Sequence, residues 1–144
     1  MDNSTPLTYS FTVHGDDFSS AGEASVQVKK ILRSIGFDAD TIRRVSIAMY
    51  EAEINMVIHA GGGVADLYVY PDRIVIVLTD KGPGIADIGL AMSEGYSTAP
   101  DNIRSLGFGA GMGLPNIKRY SDNLDIDSKL GEGTKLTITV IPQR

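Results

Sequence analysis

The sequence predicts a two-layer α/β sandwich: a mixed, largely antiparallel sheet covered on one face by helices. Three observations carry this. Strand-like and helix-like segments follow as β-α-α-β-β-α-loop-α-β-β, without the βαβα alternation of a doubly wound parallel sheet. Two adjacent strand-like runs meet at a Pro-Asp turn pair, which makes them an antiparallel hairpin. The chain has 144 residues, about the length of one domain, and shows no repeat, low-complexity tract or linker, so residues 1–144 are expected to form a single domain.

Taken in order, Leu7 to Val13 alternates apolar and polar residues and reads as a strand with one buried face. Asp16 or Asp17 is the expected cap of a first helix, which carries Phe18, Ala21, Ala24, Val28, Ile31, Leu32 and Ile35 at helical spacing and stops at Gly36. Asp38 or Asp40 starts a second helix, running to about Ala60. Val64 to Tyr70 and Arg73 to Thr79 form the hairpin, and the second run, apolar on both faces, is expected to be central. Residues 86–92 suggest a short helix, residues 95–113 a long Gly-rich loop, and Leu114 to Tyr120 another helix. Asn123 to Ser128 and Lys135 to Ile141 close the chain as strands around Gly131-Glu132-Gly133.

Composition removes several functions. Thirteen Lys and Arg against eighteen Asp and Glu give a net charge of −5, so no basic field exists to gather nucleic acid or anionic lipid. Without cysteine there is no disulfide scaffold, thiol nucleophile or Cys metal site. The polar, acidic start Met1-Asp2-Asn3-Ser4-Thr5 is unlike a signal peptide, and the longest aliphatic run, Ile74 to Leu78, is far short of the ~20 residues of a membrane helix. A cytoplasmic protein is expected. GxGxxG, GxxxxGK, GxSxG and HExxH are all missing, and His14 and His59, being isolated, are expected to be packed or surface-lying.

Chemistry is expected at four places. On the second helix, Ile42, Val45, Met49, Ala52 and Met56 form one apolar stripe and Ile47, Ile54 and Ile58 another, leaving Ser46, Tyr50, Glu53 and Val57 as the expected solvent strip. Glu51 falls outside that strip, beside Ile47 and Ile58, with Asn55 one turn on. An unpaired carboxylate on an apolar wall is costly, so it has a function, a salt bridge to Arg43 or Arg44, or a wet edge position. Asp80 continues the inward row Ile74, Ile76, Leu78 and precedes Gly82-Pro83-Gly84. Its carboxylate suits an exocyclic amine, and the glycines suit a flat ring close to the backbone, although the same residues make an ordinary turn. Thr134 shares parity with Leu136, Ile138 and Val140 and is expected to meet Asp80 beneath the helices. Finally, glycines at 107, 109, 111 and 113 precede a helix, a pattern able to fold over phosphates.

Together, Glu51-Ala-Glu-Ile-Asn55, Asp80-Lys-Gly82-Pro-Gly84-Ile85, Gly109-Ala-Gly111-Met112-Gly113-Leu114 and Gly131-Glu-Gly133-Thr134 resemble the four boxes of the GHKL ATP-binding superfamily. Nearly the whole chain is similar to the switch-protein serine/threonine kinases and anti-sigma factors of bacterial partner switching, the RsbT, RsbW and SpoIIAB group. Residues 82–98 resemble the RsbT branch and Asn55 to His59 the anti-sigma branch, which leaves the branch open.

The resemblance implies the Bergerat fold, with ATP or ADP bound between helices and sheet and residues 95–113 as a lid. It implies Asn55 as the ligand of Mg²⁺, a hard cation that prefers oxygen, and Asp80 as the acceptor of the adenine amine, supported by Thr134. Gly82, Gly84 and Ile85 would line the base; Gly109, Gly111, Met112, Gly113 and Leu114 would cover the phosphates; Glu51 would be the general base. Arg104, in a stretch longer than the RsbT-like lid, either reaches the γ-phosphate or a partner or is an exposed loop arginine. The implied function is phosphorylation of a Ser or Thr on a STAS-type anti-sigma-antagonist protein, with a sigma factor or downstream activator as a further partner and a homodimer as a possibility that relatives offer. The alternatives are a nucleotide-dependent binding switch without turnover and a stand-alone catalytic domain of a histidine kinase.

Overall fold

The computed structural model describes residues 5–15, 18–85 and 113–142. The suggested helix at 86–92, most of the Gly-rich segment with Arg104, Gly109, Gly111 and Met112, and the caps Asp16 and Asp17 lie outside the described residues.

Five strands form one sheet: β1 Leu7–His14, β2 Gly62–Val69, β3 Ile74–Thr79, β4 Asn123–Lys129 and β5 Gly133–Val140. Their order is β1-β2-β3-β5-β4, so β3 is central, as its apolarity on both faces predicts. Every described pairing is antiparallel, which corrects the expectation of a mixed sheet. The chain leaves β3, reaches the far edge as β4, and turns back as β5 into the place beside β3, so each neighbour runs opposite to the next.

The register lines up the inward residues in rows across the sheet. Tyr9, Leu67, Ile76, Ile138 and Leu124 form one row; Phe11, Ala65, Leu78, Leu136 and Ile126 form the next. Leu67, Ile76 and Ile138 are fully buried, each such burial stabilising by roughly 1.5–3 kcal/mol. One step further along β3, β5 and β4 the row turns polar, at Asp80, Thr134 and Ser128.

Helices α1 (Glu23–Ile35), α2 (Ala39–Ala60) and α3 (Gly113–Tyr120) cover this face. Asp38 caps α2, its carboxylate accepting the Thr41 N–H at 3.0 Å and the Thr41 hydroxyl. The hydroxyl contact is the chief reason its pKa lies below the ordinary carboxylate value. Along α2, Val45, Ala48, Met49 and Ala52 are buried against the sheet and α1.

The first helix departs from expectation. It does not extend from Asp16 or Asp17: Phe18–Ser20 is a separate 3₁₀ turn, and α1 begins at Glu23 after Gly22, which has no side chain to cap it. The cap comes from α2. Glu53 accepts the N–H groups of Gly22, Ala24 and Ser25 at 2.8, 3.3 and 3.0 Å and the Ser25 hydroxyl at 2.7 Å. The expected solvent strip of α2 is therefore largely covered: Glu53 is 2% and Val57 3% exposed, whereas Tyr50 stays exposed. Helix α1 lies over that sector, and the orphan N–H groups at its start satisfy the carboxylate that periodicity alone leaves in water.

Candidate functional site

The polar end of the sheet and the C-terminal half of α2 form the candidate site. Asp80 leaves β3 with its main chain still tied to β5, its N–H donating to the Thr134 carbonyl at 3.0 Å. Its Oδ1 accepts from the N–H of Gly82 at 2.8 Å and of Thr134 at 3.2 Å. Both contacts fall on one oxygen. Among the described residues Oδ2 has no hydrogen-bond partner, so the side chain is fixed in orientation while one acceptor is left for a donor from outside.

Asp80 and Thr134 thus meet as the strand parity predicts, but through carboxylate and backbone N–H. The Thr134 hydroxyl bonds instead to Ser128 Oγ, at 2.8 Å. Ser128 also accepts the Ile85 N–H at 2.7 Å and reaches the Gly133 carbonyl at 3.3 Å. One serine on the edge strand therefore ties the loop after Asp80 to the start of β5. Its signal was in the sequence: Leu124, Ile126 and Ser128 share parity, so Ser128 ends the inward row of β4.

The two loop glycines have reasons within the protein. A Cβ on Gly82 would lie 2.7 Å from Ala60 at the end of α2, and one on Gly84, whose φ is +80°, would strike the Lys129 carbonyl. Their lack of side chains lets the loop wedge between α2 and the β4–β5 turn, where the Gly131 N–H donates to the Pro83 carbonyl at 2.9 Å. This close packing already requires glycine at both positions. Ile85 is half-buried against the core.

Helix α3 supplies the other wall. Leu114, expected among the phosphate-side residues, is 8% exposed and packs into the core with Ile117. A Cβ on Gly113 would lie 2.6 to 3.0 Å from the carboxamide of Asn55. Glycine there allows the start of α3 to close onto Asn55. One turn along, Asn116 Nδ2 stands 3.5 Å from Glu51 Oε1, at the outer limit of a hydrogen bond. Asn116 carries a signal in the sequence, since it lies three residues from Gly113 and so on the same helix face.

The structure brings Glu51 and Asn55 together on this half-buried wall. Burial raises the Glu51 pKa above its ordinary value, partly opposed by Asn116. No arginine bridge explains it: Arg43 pairs with Asp40 at 3.0 Å, and Arg44 pairs with Asp40 and Asp122 at 3.4 and 3.0 Å. His59, one turn beyond Asn55, has its pKa lowered by burial, while His14 is exposed on the edge strand.

Among the described residues no cluster of three His, Cys, Asp or Glu is placed to hold a metal. A carboxamide oxygen backed by one carboxylate is nevertheless a donor set that suits Mg²⁺, which keeps waters and uses substrate phosphates for the rest of its shell. An open groove of about 1050 Å³ runs between β1, the start of α1 and Tyr50, but it contains none of these residues. No described helix is long and apolar enough to cross a membrane.

Residues 17–140 match the Histidine kinase-like ATPase domain family. The chain is 32% identical over 112 residues to the serine/threonine-protein kinase RsbT of Bacillus subtilis, covering 75% of this chain and 78% of that protein. It is 33% identical over 121 residues to an anti-sigma F factor of Clostridium beijerinckii, covering 80% and 81%. Its fold superposes on the solved structure of the RsbU and RsbW domains of Rv1364c from Mycobacterium tuberculosis with a TM-score of 0.67 at 18% identity, over 96% of this chain and 33% of that longer one. Over most of its length the chain thus matches relatives of that kind: the chain belongs to the histidine kinase-like ATPase family, in the group of small switch kinases and anti-sigma factors that includes RsbT.

Proposed function

We propose that the protein is an ATP-dependent serine/threonine kinase of a bacterial partner-switching system, acting in the cytoplasm on a STAS-type anti-sigma-antagonist protein. The observation that carries the reading is Glu51, half-buried with its pKa raised, one turn before Asn55 on the wall that α3 closes. In this reading Asp80 Oδ2 accepts the adenine amine, its other oxygen already held by Gly82 and Thr134. Asn55 would hold Mg²⁺ through its carboxamide oxygen, and the ion would neutralise charge on the transferred phosphoryl group. Glu51 takes the proton from the incoming Ser or Thr hydroxyl. That oxygen forms a bond to the γ-phosphorus, the bond from γ-phosphorus to the bridging oxygen breaks, and ADP leaves with the electron pair. A carboxylate with raised proton affinity is the better base for this step. Gly109, Gly111, Met112 and Arg104 belong to the same proposal, as the segment that covers the phosphates.

The test is phosphate transfer from labelled ATP and Mg²⁺ to candidate STAS partners. Transfer by the wild type, with at least a hundredfold loss in Glu51→Ala, is the expected result; undiminished transfer by that variant would remove the base role. The similarity to an anti-sigma F factor favours a second reading, in which nucleotide occupancy switches sigma-factor binding without turnover. Partner capture that depends on ATP, with no phosphate on the captured partner, would decide for it. The site serves both readings, and a homodimer fits either.

A further inference from the structure

We propose that Asn116 is a positioning residue for phosphoryl transfer: from the start of α3 it holds one oxygen of Glu51 and leaves the other to take the proton of the incoming Ser or Thr hydroxyl. The inference rests on the reading of Glu51 as the base and deepens it by naming the group that orients that carboxylate. Its basis is the way the two helices meet. Gly113 lies so close to Asn55 that a Cβ there would stand 2.6 Å from the carboxamide nitrogen. Asn116 meets Glu51 one turn on, and one turn beyond that the Tyr120 ring carries the Arg43 guanidinium 5.6 Å from its centre. Gly113, Asn116 and Tyr120 follow at the spacing of one helix face, and Asn55, Glu51 and Arg43 answer them in reverse order along α2. Leu114 and Ile117, both buried, anchor the same turns of α3 in the core. The amide therefore sits on a fixed stretch of helix with a contact on either side of it, and a group carried on a rigid element can set the direction of another.

The direction of the Asn116 bond is settled by chemistry. An ionised carboxylate can only accept and an amide nitrogen can only donate, so Nδ2 donates to Oε1 across 3.5 Å. This is the one hydrogen bond that Glu51 makes among the described residues, and it reaches a single oxygen. Catalytic hydrogen bonds are often long before substrate arrives and tighten in the reactive complex. Oε2 keeps its lone pairs for the hydroxyl proton. Without the amide, the flexible glutamate side chain is free to move among rotamers that place the acceptor elsewhere. Asn116 takes no proton itself and acts through Glu51.

The kinetics of phosphate transfer from labelled ATP and Mg²⁺ to a STAS-domain protein test the inference on the full chain. Asn116→Leu, close in size but without the amide, should lower kcat by about tenfold or more, a misplaced catalytic group costing up to about a hundredfold. It should leave KM for ATP and the calorimetric affinity for ADP as in the wild type. Asn116→Gln, which keeps the amide, should recover most of the lost rate. In a Glu51→Gln background Asn116→Leu should cost nothing further, because the amide acts through the carboxylate. A residue that merely packs α3 would lose the same factor in both backgrounds, and that result, or an unchanged kcat in Asn116→Leu, would overturn the inference. Asn116→Ala gives the same comparison should the leucine variant fold poorly. If the wild type transfers no phosphate, or Glu51→Gln keeps the wild-type rate, the base reading fails together with this one; if Glu51→Gln loses transfer and Asn116→Leu does not, only the role of Asn116 fails.

Discussion

Two carboxylates stand two residues apart on α2 and live in different surroundings. Glu53, on the side facing α1, is 2% exposed and accepts four hydrogen bonds from the start of that helix. Glu51, on the side facing α3, is half-buried and meets one amide at 3.5 Å. The first has its lone pairs committed to holding two helices together. The second has burial only partly offset by that amide, which raises its proton affinity and leaves it far less committed than Glu53. Residue type is shared, so the environment assigns the work.

The comparison breaks most visibly in the chemistry. Glu51→Gln, close in shape to the native side chain, should lower phosphate transfer by about 10²- to 10⁴-fold, the usual share of a positioned base, with no loss of stability to urea. Transfer at the wild-type rate would make the two carboxylates equals in irrelevance to catalysis. Next in size is Glu53→Ala, which strands the N–H groups of Gly22, Ala24 and Ser25. It should cost about 3 kcal/mol and lower the melting temperature by about 10 °C, as read by calorimetry. A loss below about 1 kcal/mol would show that α1 does not need this cap.

A smaller effect appears in the pH dependence of stability. Burial raises the Glu51 pKa above 4.5, so the folded state takes up that proton more readily than the unfolded chain. Its stabilising contribution is present at low pH and fades as pH rises from about 4.5 through the folded value, while transfer, which needs the carboxylate, grows over the same interval. His59 runs the other way. Burial lowers its pKa below 6.5, so stability is complete above 6.5 and declines as pH falls toward the folded value. Urea titrations across pH should show each slope flattened in Glu51→Gln and His59→Gln respectively, and an unchanged slope in either would remove that residue's share.

Much of this site could be read from residue order. Strand parity places Asp80 and Thr134 at the end of one inward row, and helical spacing places Glu51 with Asn55 on one wall, because each of these rules involves a single element. What sequence reading missed needs two elements at once. The strip holding Glu53 looks solvent-exposed until α1 is laid over it, and the start of α1 looks capped from Asp16 or Asp17 until Glu53 arrives from a helix about 30 residues away in sequence. The packing that demands glycine at 82 and 84 likewise comes from other elements, because Ala60 and the Lys129 carbonyl fill the space a side chain would need. Asn116 and Ser128 carried usable signals, a shared helix face and a shared parity, that single-motif reading did not collect.

The central claim is that the polar end of the sheet, with the α2 wall beside it, is a nucleotide site whose binding and chemistry are carried by different residues. Isothermal titration of ADP and Mg²⁺ into wild type, Asp80→Asn and Glu51→Gln measures it directly. The account predicts one site per chain, full affinity in Glu51→Gln, and a loss of about tenfold or more in Asp80→Asn, where an amide replaces the acceptor for the base amine. Absence of binding to the wild type at millimolar nucleotide, or equal affinity in Asp80→Asn, would contradict it.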